Sequence, residues 1–404
     1  MEHAHAQARA AAAASAPAEP PDGLNSQPVA PPSKPLQALG QDVITSETTL
    51  AEAVRGAFEN GLAAFNRNLP GAVAGEADAI HQMRVAARRL RARIDLFRVA
   101  IHGGRARSLH NDLQWLGRSA GAVREFDVIG DLLRARAAAI DPSLSEAAQP
   151  LLDALVRSRL AAHRKFLQDA ASPRYRRMCQ RLATPLLRVA ANDTCVAEVA
   201  PAMLKPMVRK ARKAARRVRA DSAPEQIHRL RIRFKRVRYA LEILQGIGGK
   251  RTRRALDRLE ELQELLGRHQ DAVAAIGFLR AFADESGAAG FPPAALIAAG
   301  SLIHDLALQR AKIAERVAKR ARQMARKEIL KDALREIARM ARAARRKKDA
   351  AELPLAEASG DARAAPAADD IVRDSIGAAR SAEIGADPVD QYSASTTKRT
   401  DESA

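Results

Sequence analysis

The sequence predicts an all-α fold built from a duplicated half-domain of about four helices. Ala, Leu, Arg, Glu and Gln dominate the middle of the chain, and strand-type alternation of apolar and polar residues is absent from it. Aromatic residues make up only 3% of the chain, so a core of Leu, Val, Ile and Ala in closely packed helices is expected. A long motif also occurs twice, at a spacing far longer than that of solenoid repeats. We expect ten or eleven helices.

The composition of the 404-residue chain divides it into one large domain and two tails. Residues 1–45 are rich in Ala, Pro, Ser and Gln without an apolar period, which predicts a disordered tail. Residues 349–404 are similar and acidic. The domain is therefore predicted over 46–348, with one half at about 46–195 and the other at about 196–348.

Glycine and proline mark the predicted helix boundaries. They occur in the segments NLPGAVAG, IHGG, IDPS, SPR, SAPEQ and GIGGK. Residues 301–353 contain neither glycine nor proline, which predicts one long final helix or two abutting ones. The many cations of this segment are typical of a solvated helix face. Whether its residues 310–348 line a binding site stays open.

The charge of the chain indicates a polyanionic partner. The formal net charge is +20 and the isoelectric point is near 10.7, which suits nucleic acid, an acidic membrane face or a phosphate polymer. Both ends carry more carboxylates than cations, so the positive charge belongs to the predicted domain.

Cysteine content and hydropathy predict a cytoplasmic protein that does not cross a membrane. Cys179 and Cys195 are the only cysteines, which excludes a disulfide scaffold and fits a reducing compartment. The start of the chain is a poor signal peptide. The longest uncharged run, residues 286–304, is broken by Pro292, Pro293 and several glycines, so it is too weak for a membrane span.

The repeated motif reads IHQMRVAARRLRARIDLF over residues 80–97 and IHRLRIRFKRVRYALEIL over residues 227–244. Both copies keep a histidine, cations three, seven and ten positions later, and an acid after fourteen. At 100° per residue the histidine and cations form one narrow stripe on the helix, beside an apolar seam that would face the core. The predicted seam consists of Met83, Ala87, Leu90, Ile94, Phe97, Leu230, Phe234, Val237, Leu241 and Leu244.

A repeated stripe favours ligand binding, because a solvated basic face needs no particular register. The alternative interpretation is an arginine-rich face without a ligand and histidines that serve packing. Just before the second copy, the segment KPMVRKARKAARRVRA adds a dense run of cations. Such density causes self-repulsion unless anions offset it, so we expect a multiply charged ligand here.

These segments resemble the CHAD family, the conserved-histidine α-helical domain, over roughly residues 48–345. The resemblance rests on HQMRVAARRLR, HRLRIRFKRVRYALEIL, GAVREFDV and LGRHQDAV. It implies a pseudo-two-fold pair of four-helix bundles with a basic central groove that binds inorganic polyphosphate, often on polyphosphate granules. Two departures are visible: Glu125 stands where the family usually has Asp, and nothing like the N-terminal triphosphate-tunnel domain of many relatives appears before residue 48.

The resemblance assigns anion binding to the motif cations and histidines. Arg89 and Arg236 lie off the main stripe and are weaker candidates. The residues carried over by motif are His81, Arg84, Arg88, Arg89, Arg91, His228, Arg231, Lys235, Arg236 and Arg238. Neighbouring cations added on charge and repeat position are Arg105, Arg107, Arg209, Arg212, Lys213, Arg216, Arg251 and Arg253.

The predicted function is non-catalytic polyphosphate binding, with no cofactor, no metal and no membrane partner. Arginine bridges phosphate oxygens with forked donors, and lysine adds a mobile charge. Protonated histidines would strengthen binding toward mildly acidic pH, and salt would weaken it. The acids of the two copies, Asp95 and Glu242, are expected to pin neighbouring arginines.

Two other functions fit the sequence less well. The alternative is a basic helical protein that binds nucleic acid. The basic stretches carry only Phe97, Phe234 and Tyr239 to stack on bases, and two of these face the core. Nucleic acid is therefore expected to compete only weakly with polyphosphate. A phosphoryl-transfer enzyme is disfavoured, since neither a GxxxxGK[ST] nor an HExxH motif occurs. The oligomeric state, protein partners and preferred polyphosphate length are not predicted.

Overall fold

The structure is a computed structural model that describes residues 44–184, 187, 192–289, 292–326 and 328–356. Within these residues the fold is all-α, as predicted, with eleven α-helices and a 3-10 turn at Arg98–Ala100. The helices are α1 (Leu50–Ala74), α2 (Ala77–Leu96), α3 (Gly103–Ile140), α4 (Pro142–Ala147), α5 (Gln149–Ala171), α6 (Pro173–Ala183), α7 (Val196–Arg217), α8 (Pro224–Ile243), α9 (Lys250–Ala289), α10 (Pro293–Arg326) and α11 (Ile329–Ala356). None of the described helices has the length and apolarity that crossing a membrane would need.

Most of the predicted breaks coincide with helix ends. Thr49 and Glu52 form a capping box at the start of α1, and Ser172 caps α6 ahead of Pro173 at its first turn. The predicted break at NLPGAVAG is wrong at Pro70, through which α1 continues. That helix ends instead at Gly75, whose φ of 87° is a left-handed conformation that glycine adopts without strain.

The glycine-free segment 301–353 spans two abutting helices, one of the two alternatives predicted. The first, α10, ends at Arg326, and α11 begins at Ile329. The second helix continues to Ala356, past residue 348 where the domain was predicted to end. The predicted N-terminal tail lies outside the described residues over 1–43, and the predicted C-terminal tail lies outside them over 357–404.

Corresponding helices of the two predicted halves have corresponding neighbours. In the first half α2 packs on α1 and α3, α3 packs on α5, and α6 contacts α1 and α3. In the second half α8 packs on α7 and α9, α9 packs on α10, and α11 contacts α7 and α9. A duplicated half-domain would have this arrangement, while its pseudo-two-fold symmetry and the basic central groove stay predictions.

The predicted apolar seam forms the core of both motif helices. All ten seam residues expose 2% of their surface or less, because residues three and four apart lie on one helix face and pack against the neighbouring helices. A further cluster joins the two halves through α3, α5, α9 and α10, with Leu133 and Leu151 packed together with Leu279 and Leu302.

Ion pairs at buried and partly buried positions add specific contacts to this packing. Asp112 on α3 exposes only 6% of its surface and accepts hydrogen bonds from Arg174 and Arg181 of α6, at 2.9 and 2.6 Å. Arg136 on α3 makes a two-pronged contact with Asp305 on α10, with Nε–Oδ2 and Nη2–Oδ1 distances of 2.8 and 2.9 Å. The second contact links the two halves beside their shared apolar cluster.

Candidate functional site

The two copies of the motif lie on helices that contact each other. The first copy lies on α2 and the second on α8, and these helices pack together, as do α3 and α9. The Cζ atom of Arg88 on α2 lies 5.3 Å from the ring centroid of Tyr239 on α8. The two stripes therefore meet across the junction of the halves.

Five cations converge at this junction, and we call them the cationic cluster. All five side chains are partly buried. The cluster consists of Arg84 and Arg88 on α2, Arg124 on α3, and Arg231 and Lys235 on α8. The Nε atoms of Arg84, Arg88 and Arg231 are buried and have no hydrogen-bond partner among the described residues.

Burial and mutual repulsion both oppose positive charge in the cluster. Burial lowers the pKa of Arg84, and the charges of Arg88, Arg231 and Arg124 lower it further. Arg231 has its pKa lowered first by burial and then by Arg88, against the opposing effects of Asp271 and Tyr239. An anion between these side chains would reduce their mutual repulsion and offset the cost of burying their charge, so the cluster is suited to anion binding.

Lys235 is the member of the cluster most affected by its surroundings. Burial and then the charges of Arg231, Arg88 and Arg84 lower the pKa of its amine to about 6, although Asp271 acts in the opposite direction. Without an anion beside it, this amine is therefore largely neutral at pH 7. The equivalent position of the first copy is Arg88, which carries a guanidinium group in place of the amine.

Two carboxylates face the cluster from α3 and α9. The pKa of Glu125 is raised, because burial and the charge of Asp271 together outweigh the opposite effect of Arg84. Part of this side chain is still exposed to solvent. Burial also raises the pKa of Asp271, against the cations Arg231, Lys235 and Arg84. These acids offset part of the positive charge.

The two histidines have different surroundings. Nδ1 of His228 lies 2.7 Å from Oε1 of Gln270 on α9, whereas Nδ1 of His81 is buried without a partner among the described residues. Burial lowers the pKa of His81, and Arg124, Arg84 and Arg88 lower it further. The difference arises because Arg124 occupies in the first half the position that Gln270 occupies in the second.

The far end of each stripe carries ion pairs. Arg238 contacts Glu242 at 2.6 Å and Glu260 at 3.0 Å, so the expectation that Glu242 pins an arginine is confirmed. Burial raises the pKa of Asp95, but a hydrogen bond with His110 and the charges of His110, Arg236 and Arg91 outweigh it and lower the pKa. Arg236 lies on α8 and Asp95 on α2, so this interaction also crosses between the copies.

Two predicted ligand-binding arginines are instead bound to helix ends. Nη2 of Arg105 donates to the backbone oxygens of Arg181 and Thr184 at the end of α6. Arg212 donates to the backbone oxygen of Ala325 at the end of α10, at 2.8 Å from Nη2. Carbonyls of a last helical turn have no partner within the helix and attract cations, which explains both contacts.

The remaining predicted cations lie outside the cluster. Arg89 is partly buried on α2. The others are exposed side chains on α3, α7 and α9, namely Arg107, Arg209, Lys213, Arg216, Arg251 and Arg253. The structure thus separates the eighteen predicted residues into a convergent group and several peripheral ones.

Five residues of the site are not among the predicted binding residues. They come from the segments GAVREFDV and LGRHQDAV and from the end of the second motif copy: Arg124, Glu125, Tyr239, Gln270 and Asp271. A signal was present, because the two segments align at a separation of 146 residues and pair Glu125 with Asp271. The sequence pattern does not predict that α3 and α9 place these residues beside the motif helices.

The donor set suits a phosphate ligand. Guanidinium groups bind phosphate oxygens through forked, charge-assisted hydrogen bonds. Within the described residues no group of three or more His, Cys, Asp or Glu side chains could hold a metal ion. The arrangement can neutralise and orient an anion.

The relatives of the chain agree with this architecture. The crystal structure of the CHAD domain from the plant Ricinus communis is 30% identical, with a TM-score of 0.57 over 69% of this chain and 93% of that one. PptA from Streptomyces chartreusis shares the fold at 19% identity, with a TM-score of 0.56 over 68% of this chain and 100% of that one. Uncharacterized proteins from two strains of Mycobacterium tuberculosis are 28% identical over 205 residues, which is 48% of this chain and 39% of theirs. The match thus spans about two fifths of those relatives.

The sequence pattern of one protein family matches more than half of the chain. The CHAD domain matches residues 56–280, which include both motif copies and both carboxylates of the site. The chain belongs to the CHAD domain family.

Proposed function

We propose that the chain binds inorganic polyphosphate at the cationic cluster, without altering it chemically, and associates with polyphosphate granules in the cytoplasm. The observation that carries this proposal is the convergence of Arg84, Arg88, Arg231 and Lys235 from two copies of one motif. Burying these four side chains together in their charged forms is unfavourable without an anion. A polyanion would offset that cost.

The ligand chemistry follows from the type of donor. Polyphosphate carries negative charge at regular spacing and offers no base to stack on, so a site for it needs arginine and lysine and little else. Three arginines of the cluster have buried Nε atoms without partners among the described residues, and their guanidinium groups are the forked donors that suit phosphate oxygens. The family resemblance points to the same ligand.

Nucleic acid is the weaker candidate because the three aromatic residues of the basic stretches are either buried or already packed against an arginine. Phe97 and Phe234 expose 1% and 0% of their surface, so neither can stack on a base. The ring of Tyr239 lies under the guanidinium of Arg88. Binding to phosphates would remain, but without the stacking that single-strand binders use.

A double variant tests the site. Arg84→Ala/Arg231→Ala removes one cation from each copy, and we expect at least a tenfold weaker affinity for long polyphosphate at low salt, since each phosphate contact contributes through counterion release. The matched control is Arg217→Ala/Arg229→Ala, which removes the same charge from exposed positions of α7 and α8. Equal losses in both variants would mean that binding depends on net charge alone and would overturn the site assignment.

Competition experiments test the ligand. Long polyphosphate should displace duplex DNA at matched charge concentration, and its affinity should fall steeply with salt. Polyphosphate recovered at unchanged length after incubation with the protein would support a non-catalytic role. Stronger retention of DNA than of polyphosphate would favour the nucleic-acid alternative.

A further inference from the structure

We propose that Trp115 and Arg174 form a stacking platform for the bases of single-stranded nucleic acid, at a site separate from the cationic cluster. Trp115 is the only tryptophan of the chain and lies outside both copies of the motif. It lies on α3, and Arg174 lies on α6. The proposed polyphosphate site contains neither residue, so the inference adds a second ligand class to the protein.

The platform and the cationic cluster lie on different sides of α3. Trp115 and Arg124 are nine residues apart, which places them half a turn apart around the helix and about 14 Å apart along it. Arg124 belongs to the cluster, whereas Trp115 lies beside α6, which packs on α3. A ligand on the platform therefore does not occupy the cluster.

Three contacts hold the guanidinium group of Arg174 in place. Its Cζ atom lies over the indole of Trp115, 4.6 Å from the ring centroid. Its Nε donates to Oδ1 of Asp112 at 2.9 Å, and its Nη2 donates to the backbone oxygen of Asn111 at 3.5 Å. Asp112 is fixed in turn by Arg181, at 2.6 Å. The guanidinium is thus positioned before a ligand arrives, which reduces the entropy lost on binding.

The platform remains accessible from solvent. The side chain of Arg174 is 43% exposed, although that of its partner Asp112 is only 8% exposed. A second planar group can therefore pack on the part of the guanidinium that the indole does not cover, and nucleobases stack on guanidinium planes in this way. The similar pair of Arg88 and Tyr239 lies among the cations of the cluster, where we expect phosphate instead.

Exposed cations flank the platform on both helices. Arg107 and Arg118 lie on α3, two turns before and one turn after Trp115, and Arg177 lies one turn after Arg174 on α6. The sequence of α6, PRYRRMCQRLA, contains four arginines and no acid. Proteins that bind single strands combine such cations, which contact the backbone, with a surface on which bases stack.

The stacking surface selects the ligand class. Polyphosphate has no planar group, so it gains nothing from an arginine held over a tryptophan. In a duplex the neighbouring base pairs cover the faces of each base, so a surface platform reaches only the phosphates. A single strand presents unpaired bases to the platform and phosphates to the flanking arginines.

Fluorescence anisotropy of the full chain with two labelled oligomers tests the platform. One is a thymidine oligomer about 12 nucleotides long, and the other is an abasic deoxyribose phosphate oligomer of the same length. Both carry the same backbone charge, so their difference in affinity measures the bases alone. We expect the thymidine oligomer to bind roughly fivefold more tightly. Equal affinities would overturn the inference and leave the proposed polyphosphate binding untouched.

The single tryptophan gives a direct readout in the wild-type protein. The unlabelled thymidine oligomer should quench the emission of Trp115, because a base packs onto its stacking partner Arg174, whereas the abasic oligomer should leave the emission nearly unchanged. Tight binding of the thymidine oligomer without any change in emission would place the bases elsewhere and contradict the platform.

Two variants that conserve charge locate the base contact. Arg174→Lys keeps the charge but replaces the guanidinium plane with an ammonium group that cannot stack, so most of the preference for the thymidine oligomer should be lost. Arg177→Lys makes the same change one turn later on α6 and should keep the preference. An equal loss in both variants would show that the assignment to Arg174 is wrong.

Arg84→Ala/Arg231→Ala separates the two sites. This variant should bind polyphosphate more weakly but keep the preference for the thymidine oligomer over the abasic one. Loss of that preference would place the bases at the cationic cluster and overturn the platform. A retained preference together with unchanged polyphosphate binding would support the platform and count against the proposed function alone.

Discussion

The guanidinium of Arg88, from the first copy of the motif, lies over the ring of Tyr239, from the second copy, with Cζ 5.3 Å from the ring centroid. Arg88 and Lys235 are equivalent positions of the repeat, and Tyr239 follows Lys235 by one helical turn. This contact holds an arginine of α2 against α8 and keeps the two stripes adjacent. It therefore links the duplication in the sequence to a single site.

Replacing Tyr239 tests this contact. Tyr239→Ala should lower the free energy of unfolding by about 1–3 kcal/mol, since it removes a cation–π partner and a partly buried ring. It should also weaken polyphosphate binding, because Arg88 loses its support. Tyr239→Phe keeps the ring face and should behave nearly like the wild type in urea unfolding and in binding. Equal effects of the two substitutions would show that the hydroxyl, not the ring, matters.

The pH dependence of binding tests the neutral state of Lys235. Burial and the neighbouring arginines hold the pKa of this amine at about 6, and a bound polyanion would raise it, so binding should take up a proton above pH 6. Affinity should therefore fall as pH rises from 6 to 8. Lys235→Arg stays charged throughout and should give a flatter profile.

Calorimetry in buffers of different ionisation enthalpy measures this proton uptake directly. We expect wild-type protein to take up protons on binding at pH 7.5, and Lys235→Arg to take up markedly fewer. His81 should also take up protons on binding, because burial and the neighbouring arginines lower its pKa as well. An uptake that is unchanged in Lys235→Arg would assign the effect to another group.

The Arg136–Asp305 pair should contribute measurably to stability. Its side chains are 27% and 23% exposed and joined by two hydrogen bonds, so Arg136→Ala should cost about 1–3 kcal/mol in chemical unfolding. The matched control lies on the same helix, where Arg134 pairs with Asp131 but both are more than half exposed. Arg134→Ala should change stability by about 0.5 kcal/mol or less. Similar costs for the two variants would contradict the role of burial.

Glu336 should make stability depend on acid pH. Its carboxylate accepts hydrogen bonds from the backbone of Gly249 and from both the backbone and hydroxyl of Thr252, each at 2.9 Å, at the start of α9. Burial raises the pKa of Glu336, but these hydrogen bonds outweigh it and lower the pKa below 4.5. A lowered pKa in the folded state means that the stabilisation is present above the unfolded value and is lost as pH falls through the folded one.

Urea unfolding of Glu336→Gln measures this contribution. At pH 7 the substitution should cost about 1–3 kcal/mol, and the difference from wild type should shrink below about pH 4. Glu264→Gln, an exposed change on α9, is the control and should have little effect at either pH. A constant difference at all pH values would show that shape, rather than charge, explains the loss.

The sequence alone determined the helical class, the apolar seams and the register of the two stripes. These are local properties: side chains three and four apart share a helix face, so Met83, Leu90 and Leu230 could be assigned to the core before any packing was known. The duplication likewise identified Arg84 and Arg231 as equivalent. The resemblance to the CHAD family came from the same segments.

Only the tertiary structure decided which cations converge. Arg105 and Arg84 looked alike in sequence, but Arg105 binds the end of α6, whereas Arg84 meets Arg231 across the two copies. The neutral amine of Lys235 likewise depends on neighbours that are up to about 150 residues away in the chain. The physical reason is that charge interactions and burial depend on distances in space, which helix periodicity does not specify beyond a few turns.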